Sequence, residues 1–128
     1  MSLKSKGSNA ERELIHLLWK EGLAAIRVAG SGSSRYPCPD IVAGNINRKF
    51  AIECKSVKNK SKYIPKDEIY QLKEFSIKFG CESWIAMRFD RNEWLFLSLE
   101  DLDETDKSFK INLEDAKRKG ILVTELLN

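Results

Sequence analysis

The sequence predicts an α/β fold, a mixed central sheet of about five strands flanked by helices, and three features predict it. Hydrophobic periodicity alternates between the helical and strand patterns in the order α-β-β-β-α-β-β. The 128 residues are 42% hydrophobic and 32% charged, enough to bury one core beneath a solvated surface. No internal repeat or low-complexity tract divides them. Residues 1–128 therefore read as one domain, with 1–7 as a flexible basic arm.

The first helix opens at Ser8-Asn-Ala-Glu11, which has the S-x-x-E form of a capping box. Ala10, Leu14, Leu17 and Leu18 recur at helical spacing, His16 falls opposite them, and Gly22 ends the run. Leu23 to Val28 reads as a strand. A loop of small residues and two prolines, Ala29 to Pro39, follows. Asp40–Gly44 and Lys49–Lys55 then flank Asn45-Ile-Asn-Arg48 as a hairpin. Ser56 to Lys62 reads as a basic polar connector into a second helix. Pro65 suits its first turn, Asp67 and Glu68 its N-terminal dipole, and Gly80 its end. Ile69, Leu72, Phe75, Ser76 and Phe79 form its expected buried stripe. Two strands follow, Ser83–Phe89 and Trp94–Leu99. The tail carries a weaker pattern, a short helix near Leu113–Lys119 and a short strand at Ile121–Glu125.

Composition narrows the function classes. No run of 18 apolar residues exists, so no membrane span is expected. Met1–Ser8 is polar and lacks the apolar stretch of a signal peptide, so a cytoplasmic protein is expected. Cys38, Cys54 and Cys81 are odd in number without C-x-x-C spacing, which reads as three reduced thiols. The net charge of +3 permits nucleic-acid binding without requiring it.

The chemistry concentrates in Pro39-Asp40 and Glu53-Cys54-Lys55. Residues two apart on a strand share a face, so Glu53 and Lys55 project together, roughly 6–7 Å apart. If the hairpin turns at 45–48, Asp40 stands opposite Glu53, with Cβ atoms about 4.5–5.5 Å apart. The same register pairs Ile41 with Ile52 and Ala43 with Phe50, whereas a one-residue slip would set Ile41 against Glu53. E-x-K alone is a chance pattern of solvated strands; the second acid in register is what gives it weight. Two carboxylates this close repel and favour a cation. Mg²⁺ takes hard oxygen ligands and keeps sites for water and substrate phosphate. Such an ion polarises a phosphoryl oxygen and activates water, with Lys55 placed to steady developing charge. The outline is phosphodiester hydrolysis.

Pro39-Asp40…Glu53-Cys54-Lys55 resembles the PD-(D/E)-x-K signature of restriction-endonuclease-like nucleases. The wider pattern is similar to the archaeal Holliday junction resolvases. It includes Lys6-Gly7-Ser8, Glu11-Arg12-Glu13, Arg27, Ser31-Gly32-Ser33 and Asp40-Ile-Val-Ala43. It continues through Ile52–Lys55, Glu74-Phe75, Phe79-Gly80 and Ile85–Arg88, leaving the tail beyond Glu100 uncovered. The resemblance implies a restriction-endonuclease-like fold and a homodimer that nicks four-way junction DNA symmetrically near the crossover. It implies Mg²⁺ (with Mn²⁺ as substitute) held by Asp40, Glu53, the Cys54 carbonyl and Glu11, with Lys55 assisting the water. It places Ser31 near the scissile phosphate, makes Arg12 and Arg27 necessary for cleavage, and sets Phe75 and Phe79 at the dimer contact. Arg88 stands where relatives usually show lysine, keeping the charge but not the point-donor geometry.

Other expected DNA contacts are Ser33 and Arg35 in the small-residue loop, where backbone and hydroxyls can approach phosphate. Lys58, Lys60 and Lys62 after the catalytic strand, with Lys4, Lys6 and Arg12, read as a basic rim. Glu11 is explained equally by capping, although on the helical wheel it lies about 60° from Leu14 and borders the core. Tyr70 and Ile77 lie off the Phe75–Phe79 stripe, which favours burial of that helix on two sides. Two alternatives remain open from the residues: a superfamily nuclease acting on duplex or damaged DNA, and a non-catalytic junction-binding module.

Overall fold

A five-stranded mixed sheet separates two hydrophobic layers, and the hairpin at its centre carries the acids. The computed structural model describes residues 3–30 and 34–128, with side chains from Asn9 onward. In chain order the elements are α1 (Leu3–Lys20), β1 (Ala24–Arg27), β2 (Ile41–Gly44), β3 (Lys49–Val57), β4 (Ser61–Pro65) and α2 (Lys66–Phe79). There follow β5 (Glu82–Phe89), β6 (Leu95–Leu97), a 3₁₀ turn (Leu99–Asp101), β7 (Asp103–Glu104), β8 (Ser108–Asn112), α3 (Leu113–Lys119) and α4 (Val123–Leu126). The main sheet runs β1-β2-β3-β5-β6, and a smaller one runs β4-β8-β7. Among the described residues only β3 and β5 pair in parallel; α2 and the small sheet's β4 lie in the crossover between them.

Strand alternation assigns the two layers. Ile41, Ala43, Phe50 and Ile52 face α1 and pack with Leu14, Leu18, Phe96 and, from α4, Val123 and Leu126. Ala51, Val57, Ile85 and Met87 face the other way, against Ile69 and Leu72 of α2, Ile64 of β4 and Ala116 of α3. The predicted register holds, with Ile41 paired to Ile52 and Ala43 to Phe50. Glu53 and Lys55 accordingly share the α2 side with Ala51 and Val57.

Several sequence expectations are corrected. α1 begins at Leu3, so Ser8 lies inside the helix, Glu11 is not its N3 acid, and residues 3–7 extend the helix instead of forming an arm. Leu3, Lys4 and Lys6 are good helix formers, and the single Gly7 costs only about 1 kcal/mol. At the other end Leu23 N–H bonds Leu18 O at 3.0 Å around Gly22, whose φ of 93° suits glycine. Pro65 is the residue before α2 rather than part of its first turn, and Gly80 closes α2 with φ 79°. Phe79, expected in the buried stripe, is 59% exposed. The connector Ser56–Lys62 is largely strand: β3 continues to Val57 and β4 starts at Ser61. Its partner β8 comes from the tail, with Tyr63 opposite Lys110 and Ile64 opposite Phe109. The expected strand Ile121–Glu125 shrinks to one bridge, Ile121 with Phe96. Val123 and Leu126, three apart, turn inward as the apolar side of α4 instead.

The tail has a structural role. It supplies β7 and β8, α3 and α4, and its end is clasped by Arg48. That guanidinium pairs with both Glu82 carboxylate oxygens, at 2.7 and 2.9 Å, donates to the Leu126 carbonyl, and lies 4.8 Å above the Phe50 ring.

Candidate active site

Asp40 sits one step beyond the last β2–β3 ladder pair, pinned by both neighbouring strands. Its N–H bonds Ile52 O at 3.1 Å, and its C=O accepts from Val28 N–H at 2.8 Å. Its carboxylate Oδ2 accepts from Cys54 N–H at 2.8 Å. This last bond turns the side chain across the end of β2 toward β3, close enough to Glu53 for its charge to act on that carboxyl. Lys55 Nζ lies 3.7 Å from Glu53 Oε2 and 3.0 Å from Glu68 Oε1. The convergence read from the hairpin register is present.

These side chains line a cavity of about 460 Å³ together with Glu11, Cys54, Ser34, Cys38, Asp67, Glu68 and Gln71. Burial pushes the Glu53 carboxyl up to about 8, reinforced by Asp40 and Glu68 and opposed by Lys55. For Lys55, burial works to lower the ammonium's pKa, but Glu53, Glu68 and Asp40 outweigh it and the net shift is upward. Burial, with the surrounding carboxylates, holds the Cys54 thiol protonated. Its sulfur is thus no thiolate donor; only its backbone offers an oxygen.

The other expected site residues fall into four groups. Glu11 reaches the cavity from α1, where Arg27 Nε donates to Glu11 Oε2 at 2.5 Å. Arg12, Arg35, Lys58 and Lys60 are exposed, and Lys62 is half-buried on β4. Arg88 turns to α1 and donates twice to Glu13 at 2.7 Å, while Trp94 Nε1 donates to the same carboxylate at 2.8 Å. Ser31 and Ser33 lie outside the described residues, as do the side chains of Lys4 and Lys6.

Glu68, Asp67, Gln71, Ser34 and Cys38 were not read as site residues. In the sequence the helix dipole alone accounts for Asp67 and Glu68. A signal did exist, since Glu68 and Gln71 are three apart and share one helical face. Nothing local says that this face meets Lys55, because α2 and β3 are brought together only by the crossover.

Among the described residues no three His, Cys, Asp or Glu side chains are gathered to hold an ion by themselves. The Asp40–Glu53 pair nevertheless fits a hard divalent cation. Two carboxyls facing one cavity, with burial and Asp40 both opposing the negative charge of Glu53, favour a cation that offsets that cost.

A second surface stands apart from this cavity. Ile26 and Val42 pair across β1 and β2 on the α2 face of the sheet, toward its β1 edge, and Ile26 is 64% exposed. With Ile46 and Phe79 they line an open apolar depression. Phe75 and Phe79 stack at 5.2 Å beside it.

A family model described as archaeal Holliday junction resolvase (Hjc) matches residues 2–128. The chain is 46% identical over 124 residues to the crossover junction endodeoxyribonuclease Hjc of Archaeoglobus fulgidus, covering 97% of this chain and 90% of that protein. It is 38% identical over 118 residues to the Hjc of Methanocaldococcus jannaschii, covering 92% and 82%. A crystal structure of the A. fulgidus Hjc, titled a Holliday junction resolvase, superposes with a TM-score of 0.87 at 44% identity, over 91% of this chain and 94% of that one. The fold is therefore restriction-endonuclease-like.

Proposed function

The chain belongs to the archaeal Holliday junction resolvase family and is a nuclease, and we propose that it resolves four-way DNA junctions by paired symmetric nicks, working as a homodimer with Mg²⁺. The observation that carries the reading is the convergence of Asp40 and Glu53 on one cavity, with the Lys55 ammonium 3.7 Å from Glu53.

Nucleases of this kind are generally metal-dependent. Asp40 and Glu53 would hold the ion, and the Cys54 carbonyl would join them. A strand residue's N–H and C=O leave the same edge, so that carbonyl shares the side on which Cys54 N–H meets Asp40. Mg²⁺, or Mn²⁺ in its place, supplies positive charge that polarises the scissile phosphate and acidifies water. The Lys55 ammonium would donate a hydrogen bond to the attacking water or to a phosphate oxygen, steadying charge as it develops. Glu11, held by Arg27, closes the α1 side of the cavity and is a further candidate for the ion. Arg12, Arg35, Lys58, Lys60 and Lys62, with Lys4, Lys6, Ser31, Ser33 and Arg88, are proposed to meet the DNA backbone, which carries most of the affinity.

Symmetric nicking needs two such cavities. The uncovered face of Ile26, Val42, Ile46 and Phe79 supports self-association, since an exposed apolar patch of this kind is the usual mark of an interface. No helix among the described residues is long and apolar enough to cross a membrane, and action on chromosomal DNA suits a cytoplasmic enzyme.

The test compares Mg²⁺-dependent cleavage of a four-way junction with that of linear duplex of matching sequence. Preferential, paired nicking of the junction is expected. Equal cutting of both substrates would replace the resolvase reading with a duplex nuclease of identical chemistry.

A further inference from the structure

An ammonium beside two carboxylates creates a conflict. The four-carbon stem of a lysine is flexible, and its charge is drawn to the nearest anion. Were Lys55 to settle on Glu53, it would occupy oxygens that a cation needs and point its protons away from an incoming phosphate. The observed geometry avoids this. Nζ lies 3.7 Å from Glu53 Oε2, beyond hydrogen-bond length, but 3.0 Å from Glu68 Oε1, within it. The Lys55 side chain is only 18% exposed, so few other positions are open to it. Glu68 arrives from the first turn of α2, on the same helical face as Gln71, and both line the cavity.

We propose that Glu68 is a positioning residue for strand cleavage: it draws the Lys55 ammonium off Glu53 and holds it at the cavity wall. The inference rests on reading this cavity as the nuclease site. Glu68 touches no reacting atom and acts through Lys55. A carboxylate in the first turn also suits the helix dipole, so a change in stability alone cannot distinguish the two roles. Rate and the state of the Lys55 amine can.

The experiment measures single-turnover junction cleavage in Mg²⁺ and junction affinity in Ca²⁺. It also records the Lys55 ammonium signal in a ¹⁵N-lysine NMR spectrum of the DNA-free protein. Glu68→Ala is expected to slow cleavage about 10- to 100-fold, the usual cost of misplacing a reacting group by about an ångström. Junction affinity should be unchanged. The Lys55 signal, protected in the parent protein, should broaden or shift. Glu68→Gln keeps an acceptor oxygen and should recover part of the rate. If Glu68→Ala cuts at the parent rate while Lys55→Ala does not cut, the inference falls and the nuclease reading stands. A rate loss matched by an equal loss of junction affinity also overturns it, because Glu68 would then serve binding. A parent protein that cuts no junction overturns the nuclease reading and this inference with it.

Discussion

Asp40 reaches across the end of β2 to accept a hydrogen bond from the Cys54 amide at 2.8 Å, and in doing so brings its carboxyl into the cavity that Glu53 lines. The bond is between backbone and side chain fourteen residues apart. It exists only because the hairpin pairs Ile41 with Ile52. Its consequences are testable.

Replacing either acid should remove cleavage and leave binding. Asp40→Asn and Glu53→Gln each delete one ionic ligand. They should lower Mg²⁺-dependent cleavage about 100-fold or more, beyond the usual cost of losing a mere supporting contact to a ligand. Junction affinity, dominated by phosphate contacts, should persist in a gel-shift or anisotropy titration. Wild-type cleavage by either variant would move the site elsewhere.

The Glu53 carboxyl gives the metal-free protein an unusual pH dependence. Its pKa rises from an ordinary 4.5 to about 8 on folding. The folded state therefore binds more protons than the unfolded state between those values, and stability falls as pH rises through that window. In chelator, thermal unfolding should show a higher midpoint near pH 5 than near pH 8. Mg²⁺ should raise the midpoint more at pH 8, where the carboxylate is free of its proton, than at pH 5. Glu53→Gln should flatten both trends. A midpoint in chelator that climbs steadily to pH 8 contradicts the assignment.

The apolar face should govern assembly. Ile26 and Phe79 are 64% and 59% exposed in the single chain. A charged residue at either, as in Ile26→Glu or Phe79→Asp, is expected to weaken self-association roughly 30-fold or more, the scale of an interface hot spot. Light scattering should then report a monomer. Nicks in the two junction strands should become uncoupled while each cavity stays intact. A parent protein that is monomeric at working concentrations would rule this face out as an interface between copies.

Arg48→Ala should cost about 1 kcal/mol of stability and no activity, since its pairing with Glu82 is partly open to solvent. The loss should centre on the C-terminus, where Arg48 holds the Leu126 carbonyl. Hydrogen exchange of residues 121–128 should speed up more than that of β3.

The hairpin, its register and the Gly80 end of α2 were legible in the sequence because each rests on local chemistry. Apolar alternation fixes which residues of β2 and β3 face α1, and a slip by one would bury Glu53. The Leu113–Lys119 helix was legible for the same reason, with apolar and charged residues at helical spacing. The start of α1 was misread because a plausible cap at Ser8 hid the fact that nothing N-terminal to it forbids helix. β4, β7 and β8 escape the sequence because the short strands of a small sheet have meaning only once paired. Tyr63 needs Lys110 opposite it, forty-seven residues later.

Local pattern along the chain thus sets the chemistry: two acids and an amine on one face of one hairpin, fixed by the two-residue period of a strand. Tertiary structure alone decided what surrounds them. It brought Glu68 to Lys55, committed Arg88 to Glu13, and left Ile26 and Phe79 uncovered. Each of these depends on where α1 and α2 cross the sheet, and that follows from the packing of two whole layers rather than from any neighbouring residues along the chain.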